Sequence, residues 1–125
     1  ASMTPASVAS AQFSLDVIKS EPERRKRLWQ ITGRIIDGFK KIGLDIGASQ
    51  TPVVPVIIGA DEVCFAFWKM LFENRVFANP VISPATPPGR ALIRTSYMAT
   101  HTDEDIDTVL DVFERTAKEL GLVRK

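Results

Sequence analysis

Pro84-Ala85-Thr86-Pro87-Pro88-Gly89-Arg90-Ala91-Leu92-Ile93-Arg94-Thr95-Ser96-Tyr97-Met98-Ala99-Thr100-His101-Thr102 runs from a Pro/Gly turn through a strand to a helix cap. The strand reads from Arg90 to Met98, and it carries a charge, Arg94, between Ile93 and Thr95. A guanidinium stays protonated, presents a planar fork of donors and is costly to bury alone, so this position asks for an anionic partner. That partner is either a structural carboxylate or a substrate. Downstream, Thr102-Asp103-Glu104-Asp105 has the spacing of a capping box, and Ile106, Val109, Leu110, Phe113, Ala117 and Leu120 form the buried stripe of a helix ending at Gly121.

Working back from the same strand, Val76 to Val81 reads as another strand. Asp61 caps a helix from Glu62 to about Asn74 that is apolar around much of its circumference and therefore needs cover on more than one side. Val53-Val54-Pro55-Val56-Ile57-Ile58, β-branched and bounded by Pro52 and Gly59, is a strand. Pro55 removes a ladder donor there, which predicts an edge position or a bulge. Ser20-Glu21-Pro22-Glu23 starts a helix with Leu28, Ile31, Ile35, Phe39 and Ile42 on one face and a stop at Gly43. Thr4-Pro5 starts another, with Val8, Ala11, Leu15 and Ile18 at helical spacing. The order ααβαββα predicts an α+β domain: a small, mostly antiparallel three-stranded sheet covered on one face by helices.

The 125 residues suit one domain with a single core. Sixteen basic against 15 acidic residues leave no global field for nucleic acid or an anionic membrane. The run Glu23-Arg24-Arg25-Lys26-Arg27 is a local exception and reads as a solvated helix face. One cysteine, Cys64, excludes an internal disulfide and indicates a reducing, cytoplasmic setting. No apolar run approaches the roughly 20 residues of a membrane span, and no signal peptide opens the chain. The opening at Ala1, within a turn, predicts a fragment or processed product.

Catalytic sets are scarce. One histidine, His101, and one cysteine on different elements do not make a zinc site or a nucleophile pair. Gly43 and Gly47 follow a helix rather than a strand, so they form a helix stop and not a dinucleotide fingerprint. The acidic cluster Asp103, Glu104, Asp105 and Asp107 complements a helix N-terminus. His101 either fixes the strand-to-helix corner by a hydrogen bond or touches a ligand.

Five segments in this order resemble the C-terminal part of the α-oxoamine synthases, pyridoxal-phosphate (PLP) enzymes of the fold type I aminotransferase superfamily. They are Ser2-Met3-Thr4-Pro5 with its helix, Glu21-Pro22-Glu23-Arg24-Arg25, Ser49-Gln50-Thr51-Pro52-Val53-Val54-Pro55-Val56-Ile57-Ile58-Gly59, Val76-Phe77-Ala78-Asn79-Pro80-Val81, and the segment quoted first. Members, among them 8-amino-7-oxononanoate synthase, glycine C-acetyltransferase and serine palmitoyltransferase, join an amino acid to an acyl-CoA with loss of CO2.

The resemblance implies that the chain is the C-terminal small domain. Residues 1–43 would be a two-helix segment linking to an absent PLP-binding large domain, and residues 44–125 the α+β unit. It implies that Arg94 grips the amino acid's carboxylate, that Thr86 either lines the acyl channel or serves only as a turn residue before Pro87, and that the Ser2 hydroxyl reaches the cofactor phosphate of a partner subunit in a homodimer. The family's Schiff-base lysine lies upstream of the position matching Ala1. Lys19, Lys26, Lys40, Lys41, Lys69, Lys118 and Lys125 do not share its context, so no catalytic residue and no bound cofactor is expected in this fragment. Ile82 stands where some members have arginine; Ile82-Ser83-Pro84 is closer to glycine C-acetyltransferases and some palmitoyltransferase-like proteins than to 8-amino-7-oxononanoate synthases. The competing reading is a freestanding α+β module that binds an amino acid or a protein partner.

Overall fold

A computed structural model describes residues 3–123; the expectation for Ser2 lies outside them. The amphipathic stripe read between Pro22 and Gly43 becomes α2, Pro22–Ile42, with Ile31, Ile35 and Phe39 fully inside. It stops because Gly43 enters the left-handed region (φ 97°), where its N–H returns to the carbonyls of Phe39 and Lys40. Before it, α1 spans Pro5–Ser20. After it come β1, Val53–Gly59, α3, Asp61–Glu73, β2, Asn79–Val81, β3, Ala91–Ser96, and α4, Asp103–Glu119. The predicted order ααβαββα is the observed one.

The three strands form one sheet in the order β1-β3-β2, antiparallel throughout. Pro55 is tolerated because β1 is an edge strand, while the register shift falls at Ile57/Gly59 rather than at the proline. Alternation along the strands sends Val54, Val56, Ala91, Ile93 and Thr95 to the helices and leaves Val53, Pro55, Ile57, Leu92, Arg94 and Ser96 on the other face. Helices cover only the first of these faces, as expected.

Three phenylalanines from three helices meet in the core. The Phe113 ring lies 4.8 Å from that of Phe39 and 5.4 Å from that of Phe67, and none of the three is exposed. Gly38 permits the close approach of α2 to α4, since a Cβ there would stand 2.5 Å from Leu110 Cδ2. Val112 and Thr116 are also buried on α4, a broader stripe than the sequence reading gave.

Two helix starts differ from expectation. Ser20 ends α1, its hydroxyl bonded back to the Asp16 carbonyl, so Glu21 takes the N-cap place of α2 without a side-chain cap. Asp61 is the first residue inside α3, and Ala60 is its N-cap. In both, the carboxylate contributes through the helix dipole rather than by capping. β2 is also shorter than Val76 to Val81: Val76 and Ala78 are buried within the loop after α3, and pairing begins only at Asn79.

No residue of α1 is buried; it packs against α2, and Val8, Phe13, Leu15 and Ile18 stay exposed. The apolar spacing made the helix without giving it a core to enter. On α3 Cys64, Phe67 and Leu71 are buried and Trp68 is half-buried against the core, while Phe65 and Phe72 face out. No helix among the described residues is long and apolar enough to cross a membrane.

Arg27 and Arg34 tie α2 to the start of α4. Arg27 donates to the His101 carbonyl and to Asp103 Oδ1, and Arg34 reaches Asp103 and Asp107. Part of the basic run is therefore structural rather than solvated. The Arg27 hydrogen bond, then its charge, hold the Asp103 carboxyl below the usual carboxylate range, and the Thr102 N–H does the same for Asp105. Depressed folded-state values mean stability that is fully present above the unfolded carboxylate value of about 4 and is lost as pH falls below it. Thermal melts should show the wild-type Tm falling below that pH. Asp103→Asn should start lower at neutral pH and fall less steeply; equal slopes would refute the coupling.

Candidate functional site

The uncovered sheet face is where a charged strand residue can stand without burial. Arg94 occupies its middle strand, directly between Pro55 of β1 and Asn79 of β2. The side chain is exposed, and no described carboxylate lies within 4.0 Å of it; every ion pair among the described residues belongs to other side chains. The structural-carboxylate reading therefore finds no partner among the described residues. The guanidinium faces outward on an open surface rather than into a cleft built by the chain itself.

Around Arg94 the face is ordered in rows. Ile57, Leu92 and Val81 form an apolar row on one side, and Val53 pairs with Ser96 on the other. Between them stand Pro55, Arg94 and Asn79. A planar cation set in this way offers its fork to an anion approaching the sheet from outside, with an apolar strip beside it.

Thr86 lies in the loop from β2 to β3, where its N–H bonds to the Ile82 carbonyl at 3.2 Å. Its Oγ1 is buried and has no hydrogen-bond partner. The loop enters β3 at Ala91, and Arg94 lies farther along that strand. The structure thus places the two predicted residues on consecutive segments but joins them by no hydrogen bond.

His101 makes the corner hydrogen bond that was the first of its two expected roles. Its Nδ1 accepts the Met98 N–H at 3.2 Å, and its carbonyl takes Arg27, so it fixes the corner between β3 and α4. Thr102 accepts the Asp105 N–H while Asp105 accepts the Thr102 N–H, completing the capping box. Cys64 is buried, its thiol donating to the Leu92 carbonyl at 3.4 Å, and burial pushes its pKa up. That thiol is a packing group, not a nucleophile.

A concavity of about 500 Å³ opens between α4 and the end of β3 and is lined by Arg75, Phe77, Tyr97, Met98, His101 and Val109 among others. Burial raises the Tyr97 phenol well above its usual range, and its hydroxyl has no hydrogen-bond partner. The sequence reading did not single out this groove, nor Asn79. Asn79 becomes visible only when β2 is placed beside β3 in register.

The fold leaves one sheet face uncovered, and the middle strand of that face carries an arginine with no ion-pair partner among the described residues. The chain belongs to the aminotransferase class I and II family, whose pattern matches residues 1–113. Among its relatives, serine palmitoyltransferase of Sphingobacterium spiritivorum is 44% identical over 95% of this chain and 30% of its own length. The 8-amino-7-oxononanoate synthase of Fervidobacterium nodosum is 38% identical over 97% of this chain and 31% of its own. Serine palmitoyltransferase from S. paucimobilis, solved with bound PLP and myriocin, superposes with a TM-score of 0.92 at 31% identity, over 98% of this chain and 31% of that one. The chain therefore spans about a third of the length of the proteins it matches. The family expected from the five sequence segments is the one found.

The lysines test whether the described residues could hold PLP covalently. Lys19, Lys26, Lys40, Lys41, Lys69 and Lys118 all lie on helices, and none shares the open sheet face with Arg94. No chemistry of PLP is placed on these lysines.

Proposed function

We propose that this chain is the small-domain part of a PLP-dependent α-oxoamine synthase, which condenses an amino acid with an acyl-CoA and releases CO2 and CoA. Serine palmitoyltransferase-like or glycine C-acetyltransferase-like activity is favoured over 8-amino-7-oxononanoate synthesis, in keeping with Ile82 and with the palmitoyltransferase relatives. The observation that carries the reading is Arg94, a guanidinium with no ion-pair partner among the described residues, on the uncovered face of a sheet whose other face is packed.

In this reading residues 1–43 link to the large domain and residues 44–125 form the small one. The exposed apolar residues of α1 then face protein supplied from outside the unit, including the second subunit of a homodimer. Arg94 holds the amino acid's carboxylate by charge-assisted bonds, which fixes the orientation of its Cα substituents. Ser2 contributes to the phosphate site of the partner subunit, and Thr86 borders the acyl path. PLP supplies the electron sink of the reaction and is held by residues outside this chain, which by itself is inactive. The full protein works in the cytoplasm.

The chain also builds its own core from Phe39, Phe67 and Phe113, which suits a freestanding amino-acid-binding module. One assay separates the two readings. The longest natural form of the protein is given serine, glycine or alanine with short- or long-chain acyl-CoA, and CoA release is followed. Release that depends on both substrates is the expected result. Amino-acid binding with no release from any acyl-CoA would leave the module reading and overturn the synthase.

A further inference from the structure

We propose that Asn79 is the second arm of the anion clamp: its amide N–H bonds the carboxylate that Arg94 holds, and its amide oxygen braces the guanidinium. The inference rests on the reading of Arg94 as a carboxylate clamp. Asn79 and Arg94 are direct partners in the antiparallel β2–β3 register. Residues opposite one another in such a pair share a face, with Cβ atoms about 4.5–5.5 Å apart. Both are exposed, and neither side chain has an internal hydrogen bond or ion pair among the described residues.

The surroundings make Asn79 the only polar cross-strand neighbour. On the other side of Arg94 stands Pro55, which has no polar side-chain group. The adjacent row of Ile57, Leu92 and Val81 is apolar. Of the two strands flanking Arg94, only β2 can therefore brace the guanidinium.

An amide suits the position chemically. It carries one acceptor for an Arg94 N–H and two donors, one of which serves the bound carboxylate, and it does so without charge. An aspartate there would close the clamp with an internal ion pair, and a lysine would repel the guanidinium. Asparagine is disfavoured in strands, so the formation of β2, only three residues long, does not account for its presence.

The test measures the dissociation constants of L-serine and of ethanolamine, which lacks the carboxylate, by calorimetry on the longest natural form of the protein. Asn79→Ala should weaken serine about tenfold or more, the size of one hydrogen bond to a charged group, and leave ethanolamine unchanged. Asn79→Thr, which keeps a donor in a strand-favouring residue, should recover most of that loss. Arg94→Ala should abolish the preference for serine. If Arg94→Ala weakens serine and Asn79→Ala does not, the role of Asn79 is overturned and the Arg94 reading stands. If neither variant affects serine, both fall. Equal weakening of serine and ethanolamine by Asn79→Ala would show a structural effect and also overturn the proposal.

Discussion

Arg94→Ala, made in the longest natural form of the protein, is expected to lower kcat/KM for the amino acid by about a thousandfold, since two charge-assisted bonds at roughly 1.5–3 kcal/mol each are lost and each 1.36 kcal/mol is tenfold. Arg94→Lys should recover only part of this, leaving a deficit of about ten- to a hundredfold, because an ammonium keeps the charge but not the planar fork. Neither variant should disturb the fold. The side chain is exposed and pairs with no described carboxylate, so its removal leaves no buried charge behind. Tm should therefore stay within about 3 °C of wild type, as for ordinary surface changes. Unchanged kinetics, or a collapse of Tm with Arg94→Ala, would remove Arg94 from the binding role.

Phe113→Ala is expected to cost about 3–5 kcal/mol, the range for truncating a fully buried aromatic residue. The ring sits between Phe39 and Phe67, so its loss opens a cavity where α2, α3 and α4 meet. Collapse to fill that cavity is resisted from all three helices. Against a typical domain stability of about 5–15 kcal/mol, this is a large fraction of the total. Urea unfolding of the 125-residue chain, followed by the fluorescence of Trp29 and Trp68, would measure it. A cost under about 1 kcal/mol would mean that the three-helix contact is not the centre of the core, and Phe113→Leu, which keeps more of the volume, should stay within about 1.5 kcal/mol.

The two substitutions probe separate parts of one design. Phe113 belongs to the covered side of the sheet, and Arg94 to the open side. Ile93 and Arg94 are consecutive, yet the strand's period of two sends the first into the helix layer and the second away from it. A strand cation can thus stand one residue from the core without being buried.

Local chemistry made much of the architecture legible in advance. The stripe of α2 and its Gly43 stop, the Thr102–Asp105 capping box and the edge position implied by Pro55 all follow from groups close in sequence. Each depends on one helix turn or one missing N–H, so the chain around it is enough to read it. Expectations failed where two local signals competed. Ser20 could cap α2 or finish α1, and the carbonyl of Asp16, one turn back, took its hydroxyl. Val76 and Ala78 have strand-like chemistry, but the partner strand begins opposite Asn79.

The sequence by itself determined the element order, the helix ends set by glycine and capping threonine, and the presence of a cation within a strand, because these rest on backbone sterics and hydrogen bonds only a few residues long. Only the tertiary structure decided that β3 lies between β1 and β2, that Arg94 therefore stands between Pro55 and Asn79 on the uncovered face, and that α1 enters no core. Strand order and register come from contacts between segments far apart in the chain, where burying one face of the sheet settles which side chains are left on the other.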